Sequence, residues 1–309
     1  MSWLRFVGVR LAGAVVMALC VSTLVFLLLH VIPGDAVEVM LGEHAAPADR
    51  AALRARLGLD RPLGAQWLSF VHGLAQGDFG HSLVDGRPVA ELLAMHFPYT
   101  LGLAASALAL ACVVALPLGI GAARRRGGRL DRLLDALTLI GLSVPSFVLG
   151  PLLIVVFAVG LRWLPVSGAD DARSIVLPAV CLALGLTAVL ARMTRASLLE
   201  VARERYILAA RARGLTEWRI TLRHAGPNAA LPVVTVLGLQ LGGLLGGAVV
   251  TEIVFAWPGL GQLAIEAIER RDYPVVQGCV LLASLCYIAI NVAVDLSARA
   301  LDPRLEASA

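Results

Sequence analysis

Six apolar runs of membrane-spanning length punctuate the chain, at about 10–32, 98–121, 134–160, 175–196, 229–251 and 275–298. A helix crossing a bilayer takes about 20 residues, so each run predicts one transmembrane helix. The first, LAGAVVMALCVSTLVFLLLHVI at 11–32, is too long for the apolar region of a secretory leader. No small-residue cleavage site follows it cleanly, so it reads as a retained helix with Arg5 and Arg10 ahead of it. The third run contains SVPSF (Ser143 to Phe147), where Pro145 predicts a kink; neighbouring helices can satisfy the backbone groups that such a break frees. A long polar segment, 34–97, separates the first two runs. Within its GAQWLSFVHGLAQGDFG, Trp67, Phe70, Val71 and Leu74 recur at i, i+3, i+4 and i+7. That spacing predicts a short amphipathic helix lying on the membrane surface or on the protein itself. In the fifth run Gly238, Gly242 and Gly246 fall on one stripe, which permits close helix approach. The stripe serves either packing within the chain or a dimer or pore-lining interface.

Composition agrees with a polytopic membrane protein. The chain is 59% hydrophobic and 16% charged, with mean hydropathy +0.82, where a soluble domain is about 25% charged. All 26 basic residues are arginine. A phosphate-binding loop of the form GxxxxGK[ST] needs its lysine, so this chain has no such ATP site, and ATP-driven work would need another subunit. Cys20, Cys112, Cys181, Cys279 and Cys286 all lie in apolar runs, with no CxxC pair, and read as small buried side chains.

Arginine distribution sets the orientation. The N terminus, the 122–133 and 192–228 loops and the C-terminal tail carry 17 arginines together, against 9 on the other side. The positive-inside rule puts the first group in the cytoplasm, with both termini inside. The sharpest cluster is Arg124, Arg125, Arg126, Arg129 and Arg132. The longest cytoplasmic loop holds RARGLTEWRITLRHAGPNAALP (211–232), with Arg211, Arg213, Arg219 and Arg223 in quick succession.

Chemistry-bearing residues are sparse. No nucleophile elbow or catalytic constellation is present, so the chain does not read as an enzyme. His30, His44, His72, His81 and His96 lie on or near the outer side without helical i,i+4 pairing or a cysteine neighbour, and no metal site is read from them. Glu252 and Asp295 are acids inside spans, both near interfaces. An intramembrane acid is a functional suspect, and the plain alternative is a hydrated interfacial side chain. In FAWPGLG, Pro258 and Gly259 make a turn, with Phe255 and Trp257 at headgroup depth as in an aromatic belt. The absence of a buried charge chain and of internal repeats argues against an ATP-independent secondary transporter, and the lack of convergent polar residues in the spans against a membrane enzyme. An arginine loop tethered between two spans does not read as a nucleic-acid site.

The loop ARMTRASLLEVARERYILAARARGLTEWRITLRHAGPNAALPVV (191–234) resembles that of the permease of a binding-protein-dependent ABC importer, of the dipeptide, oligopeptide, glutathione and nickel group. Similar stretches run through nearly the whole chain: HVIPGD (His30 to Asp35), LGLDRPLGAQW (Leu57 to Trp67), GDFGHSL (Gly77 to Leu83), RWLPVSG (Arg162 to Gly168), FAWPGLG (Phe255 to Gly261), RDYPVVQG (Arg271 to Gly278) and ALDPRL (Ala300 to Leu305). One departure is clear. With Gly214 at the importer motif's glycine, Leu208 stands where the motif has an acid, and Leu231-Pro232 comes late; the core ARARGL (Ala210 to Leu215) instead matches the variant of the peptide and nickel group.

The resemblance implies an all-α fold of six transmembrane helices with a long first extracytoplasmic loop. The first helix and that loop occupy 1–97, the permease core 98–298 with its coupling loop at about 197–228, and a cytoplasmic tail 299–309. It implies that a coupling helix docks on an ATPase subunit through Tyr206, Ala209, Ala210, Arg211, Ala212, Arg213, Gly214 and Leu215. Physically, Ala209, Ala210 and Ala212 keep the helix surface small, Gly214 can end it in a left-handed turn, and the arginines reach acidic partners or lipid heads. Glu252, Phe255, Trp257, Pro258 and Gly259 become candidates for pore or gate. The implied partners are a second, homologous permease, two ATPases that bind ATP and Mg, and an extracytoplasmic solute-binding protein, with no cofactor in this chain. The implied place is the inner membrane. The implied cargo is a di- or oligopeptide or a glutathione-like solute, with nickel or a metal chelate as the alternative; the short 161–174 loop leans away from dipeptide permeases that carry an insertion there.

Overall fold

The computed structural model describes residues 3–31, 37, 41, 46–57 and 59–301. Most of HVIPGD, together with His44, Gly58 and the chain from Asp302 onward, including most of ALDPRL, lies outside the described residues. The described residues form helices and no strand: α1 (Trp3–Val31), α2 (Pro47–Leu57), α3 (Leu63–Ala75), α4 (Val89–Arg124), α5 (Arg129–Ser143), α6 (Ser146–Leu153), α7 (Val176–Val201), α8 (Arg205–Ala212), α9 (Glu217–Arg219), α10 (Gly226–Gly247), α11 (Val249–Val254), α12 (Leu260–Glu269) and α13 (Tyr273–Leu301). A π-helical turn, Ile154–Gly160, prolongs α6, and another, Ile220–Ala225, joins α9 to α10.

Among the described residues five stretches are individually long and apolar enough to span a membrane: Val7–Leu27, Val89–Arg124, Ala172–Val201, Glu217–Leu245 and Tyr273–Ser297. The expected third span is broken rather than kinked, its two limbs meeting at 102°, and it makes a sixth only if they count as one. The break follows from Pro145. The residue before a proline is pushed out of the helical region, and Val144 is extended at φ −94, ψ 112. Pro145 then caps α6. α4 exceeds its apolar run, since 36 residues at 1.5 Å each make roughly 54 Å against a hydrocarbon core of about 30 Å.

Small residues hold the spans together. Ala104, Ala107, Ala111, Ala115 and Ala122 of α4 recur at helical spacing and are buried, the first three against Ala183 and Leu186 of α7. At Gly119 a Cβ would stand 2.6 Å from the Ala191 carbonyl oxygen, so the backbones touch. Close approach of small residues is how helices associate where lipid removes the hydrophobic drive. The glycine stripe of α10 turns inward in the same way: Gly238 lies against Val294 and Gly242 against Tyr287, both on α13. The side-chain surroundings of Gly246 lie outside what is described.

α3 is the predicted amphipathic helix, and it rests on the protein. Trp67 Nε1 donates to Thr23 Oγ1 at 3.1 Å, and Phe70 stacks on Phe26 with centroids 5.7 Å apart; both partners belong to α1. Asp295 pairs with Arg10 at 3.0 Å, fastening α13 to α1. The ends of α4 and α7, with α5, α8 and α9, gather the arginine clusters at one end of the bundle. The start of α4, α11, α12, the start of α13 and the 77–88 loop form the opposite end.

Candidate functional site

At the arginine-rich end, α7 runs to Val201, and a short turn leads into α8, two turns of helix that end at Gly214. Gly214 has φ +75. Its N–H donates to the Arg211 carbonyl at 2.9 Å, and the Leu215 N–H to the Ala210 carbonyl at 3.3 Å. That pair of bonds is a Schellman motif, which satisfies the last carbonyls of the helix. The expected left-handed stop is therefore present.

α8 has two faces. Ile207 and Ala210 point inward and pack with Leu198, Ile220, Ala225 and Ala229, with Leu215 half-buried beside them. Tyr206, Leu208, Ala209, Arg211, Ala212, Arg213 and Gly214 are exposed. The alanines expected to form one small surface are thus split: Ala209 and Ala212 face out, whereas Ala210 is only 8% exposed and belongs to the chain's own core. The helical step of about 100° per residue accounts for the split, turning Ala210 away from both neighbours. Leu208, where the importer motif has an acid, is 53% exposed.

Polar contacts clamp this helix to the bundle. Arg211 makes a two-pronged pair with Glu217, Nε to Oε1 at 2.7 Å and the second nitrogen to Oε2 at 3.2 Å. Asn228 Nδ2 donates to the Tyr206 hydroxyl at 2.6 Å. The Arg124 guanidinium lies 4.8 Å from the centre of the Trp218 ring, bridging to α4. In the neighbouring loop Asp131 forms an ion pair with Arg195 at 2.6 Å, and its Oδ2 accepts from a terminal nitrogen of Arg195 at 3.1 Å and from the Gly127 N–H at 2.9 Å. Neither the Arg124–Trp218 nor the Asp131–Arg195 contact is legible from spacing, because each joins elements far apart in the chain.

At the opposite end, Glu252 is fully buried, not the hydrated interfacial acid of the plain reading. Gly261 N–H donates to its Oε2 at 2.7 Å, Gln262 N–H to the same oxygen at 3.2 Å, and the Thr100 hydroxyl to Oε1 at 2.7 Å. Thr100 Oγ1 in turn accepts from the Leu260 N–H at 2.8 Å. The N–H groups of Leu260, Gly261 and Gln262, orphaned at any helix start, are thus taken by α4 and α11. Phe255 and Trp257, 2% and 6% exposed, are turned into the protein. The aromatic-belt reading does not hold for them: Phe255 packs with Ala158, Leu177 and Cys181, and Trp257 with Leu103 and Ala179. Trp257 Nε1 donates to the Tyr99 carbonyl at 3.0 Å. Pro258 is half-buried, and Gly259 is required because a Cβ there would overlap the Glu252 carboxylate.

Asp272 makes a third contact that the sequence did not single out. It accepts from the Ser82 hydroxyl and, at 3.1 Å, from the Leu83 N–H. Two of the quoted stretches, GDFGHSL and RDYPVVQG, therefore meet at the start of α13. Among the described residues no three His, Cys, Asp or Glu side chains gather as metal ligands.

Residues 115–307 match the family described as binding-protein-dependent transport system inner membrane component, and residues 3–104 match its N-terminal family. The chain is 44% identical to the glutathione transport system permease protein GsiC of Escherichia coli (strain K12) over 302 residues, 98% of this chain and 99% of that one. It is 43% identical, over the same shares, to GsiC of Salmonella typhimurium (strain LT2). Among solved structures, a chain of the MetNI methionine ABC transporter in an inward-facing conformation is similar with a TM-score of 0.58 and 25% identity, covering 68% of this chain and 96% of that one. A chain of an amino acid ABC transporter, 15% identical with a TM-score of 0.54, shares the fold. The spans, the clamped arginine-rich helix and these similarities agree: the chain belongs to the binding-protein-dependent transport system inner membrane components, as a multi-pass permease of the ABC importer type.

Proposed function

We propose that this permease forms half of a translocation pore for small peptides of the glutathione type, driven by ATP that two partner ATPases bind with Mg and hydrolyse. A second, homologous permease supplies the other half, and a solute-binding protein delivers cargo at the end opposite the arginines. The arginine bias supports a cytoplasmic position for α8 and for both termini. The observation that carries the reading is the two-faced α8, with Ala209, Ala212, Arg211 and Arg213 on its outward side beside Tyr206 and Leu208, and its inward face locked into the bundle.

That arrangement suits a lever. A partner pressing on Ala209, Arg211, Ala212 and Arg213 moves α8, and the buried Ile207 and Ala210 hand the motion to α7 and to the start of α10. At the far end, Phe255, Trp257, Pro258 and Gly259 sit in a turn tied to α4 through Glu252 and Thr100, so a shift of α4 against α10 acts on that turn, the proposed gate. Alternating access follows if nucleotide binds one arrangement better than the other. The identity with two glutathione permeases over nearly the full chain supports the cargo class.

The test is purification of the tagged chain from its host in mild detergent, identification of what accompanies it, and uptake by proteoliposomes of the recovered assembly. Two ATPases, a second permease and ATP-dependent uptake of labelled glutathione are expected once the binding protein is added. Recovery of this chain alone, moving solute without ATP, overturns the reading; ATP-dependent uptake that excludes glutathione and short peptides overturns the cargo.

A further inference from the structure

A cavity of about 290 Å3 opens at the arginine-rich end, between the last turns of α4 and α7, α8 and the π-turn that follows α9. Its floor is apolar, with Leu198, Ile207, Ile220 and Ala225 buried there. Its rim carries three guanidinium groups, Arg124, Arg125 and Arg211, and one carboxylate, Glu217. Arg211 is neutralised by Glu217. Arg124 lies over the Trp218 ring and within electrostatic reach of the same carboxylate, and with three guanidinium groups to one carboxylate the rim keeps a net positive charge.

An apolar floor beneath a cationic rim, at the ends of spanning helices, matches a phosphate-bearing amphiphile. The geometry points to this cavity as a site for the phosphodiester headgroup of an anionic phospholipid. The headgroup lies on Arg124 and Arg125, and the glycerol and first methylenes lie on the floor. Basic pockets between spanning helices hold lipid headgroups in this way, and guanidinium groups grip phosphate through paired hydrogen bonds. The occupant would touch the Arg211–Glu217 pair and so press α8 against α7, tuning the helix proposed to receive the ATPase. The site itself does not depend on that docking.

The purified assembly in neutral detergent is the material for the test, with phosphatidylglycerol, phosphatidylcholine and soluble glycerol phosphate as probes and native mass spectrometry as readout. Retention of phosphatidylglycerol over phosphatidylcholine is expected, weakened about fivefold by each of Arg124→Gln and Arg125→Gln and unchanged by Arg126→Gln, which lies outside the cavity. Ala202→Phe fills the cavity without altering charge and is expected to abolish retention; thermal melting of each variant separates lost binding from lost fold. Equal retention of the two lipids overturns the proposal, as does retention in Ala202→Phe. Competition by glycerol phosphate at equal concentration makes it a free-anion site and overturns the lipid assignment. If Arg125→Gln lowers ATPase recovery while phosphatidylglycerol stays bound, the cavity receives a protein side chain and the proposal falls.

Discussion

Glu252 caps a helix to which it does not belong, its Oε2 accepting the N–H of Gly261 at 2.7 Å from across the FAWPG turn. Three donors depend on this one carboxylate, and it has no exposed surface through which water could replace it. Glu252→Ala is expected to destabilise the permease by about 2–4 kcal/mol, because buried N–H groups are left without acceptors; Glu252→Gln, which keeps one acceptor oxygen, should lose less. Gly259→Ala attacks the same contact, since its Cβ would overlap the carboxylate. Melting temperatures of the two single alanine variants and the double variant check this. The double should be little worse than either single, and additive losses would show that the two residues act apart.

Asp272 ties the 77–88 loop to the bundle through Ser82 and Leu83. Within the loop the Ser82 N–H donates to the Arg87 carbonyl and the Gly86 N–H to the Ser82 carbonyl. A hydrogen bond to a charged acceptor is worth about 1.5–3 kcal/mol. Asp272→Ala should therefore raise amide exchange of residues 82–89 roughly tenfold or more, while α4 and α7 stay protected. Hydrogen-exchange mass spectrometry reads both. Unchanged exchange in the loop would mean that its own turns hold it.

Gly238 meets Val294 where α10 crosses α13. Gly238→Ala is expected to lower stability by about 1–3 kcal/mol through overpacking, and Val294→Ala in the same chain should restore most of the loss. Gly243, in the same helix, faces open space, so Gly243→Ala should be neutral. Melting curves of the three variants decide it. Equal effects at Gly238 and Gly243 would remove the packing account of the stripe.

Much of this was legible in the sequence, for physical reasons that also mark where legibility stopped. Apolar run length gave the spans because a bilayer imposes one thickness, and Pro145 announced the α5–α6 break because its restriction is local. Gly214 announced the end of α8 on the same ground. What stayed hidden was long-range: nothing near Glu252 says that Thr100 lies beside it, and nothing near Asp272 names Ser82. Spacing does not say which way the Phe255 and Trp257 rings face; burial beside Leu177 and Leu103 turns them into the protein. Ala209, Ala210 and Ala212 share small size but not helical phase, so likeness of composition does not put them on one face.

The two faces of α8 give the sharpest test of the docking proposal, because adjacent alanines should fail in different ways. Ala209 and Ala212 are exposed and Ala210 is packed against Leu198 and Ile220. Ala209→Trp and Ala212→Trp should leave the melting temperature within about 2 °C, since exposed substitutions rarely exceed about 0.5 kcal/mol. They should nevertheless lower ATPase recovery and ATP-driven uptake at least tenfold, if a partner packs closely on that face. Ala210→Trp should instead melt early, since an indole does not fit a filled core, and its uptake should fall with its folded fraction. Gly214→Pro tests the end of the same helix: proline cannot adopt φ +75 and removes the N–H bonded to Arg211, so uptake should vanish while the chain still inserts. Melting, co-purification and uptake measured on the same preparations separate these outcomes. Normal ATPase recovery with tryptophan at both 209 and 212 would mean that the partner docks elsewhere, and α8 would then be a brace for the ends of α7 and α10.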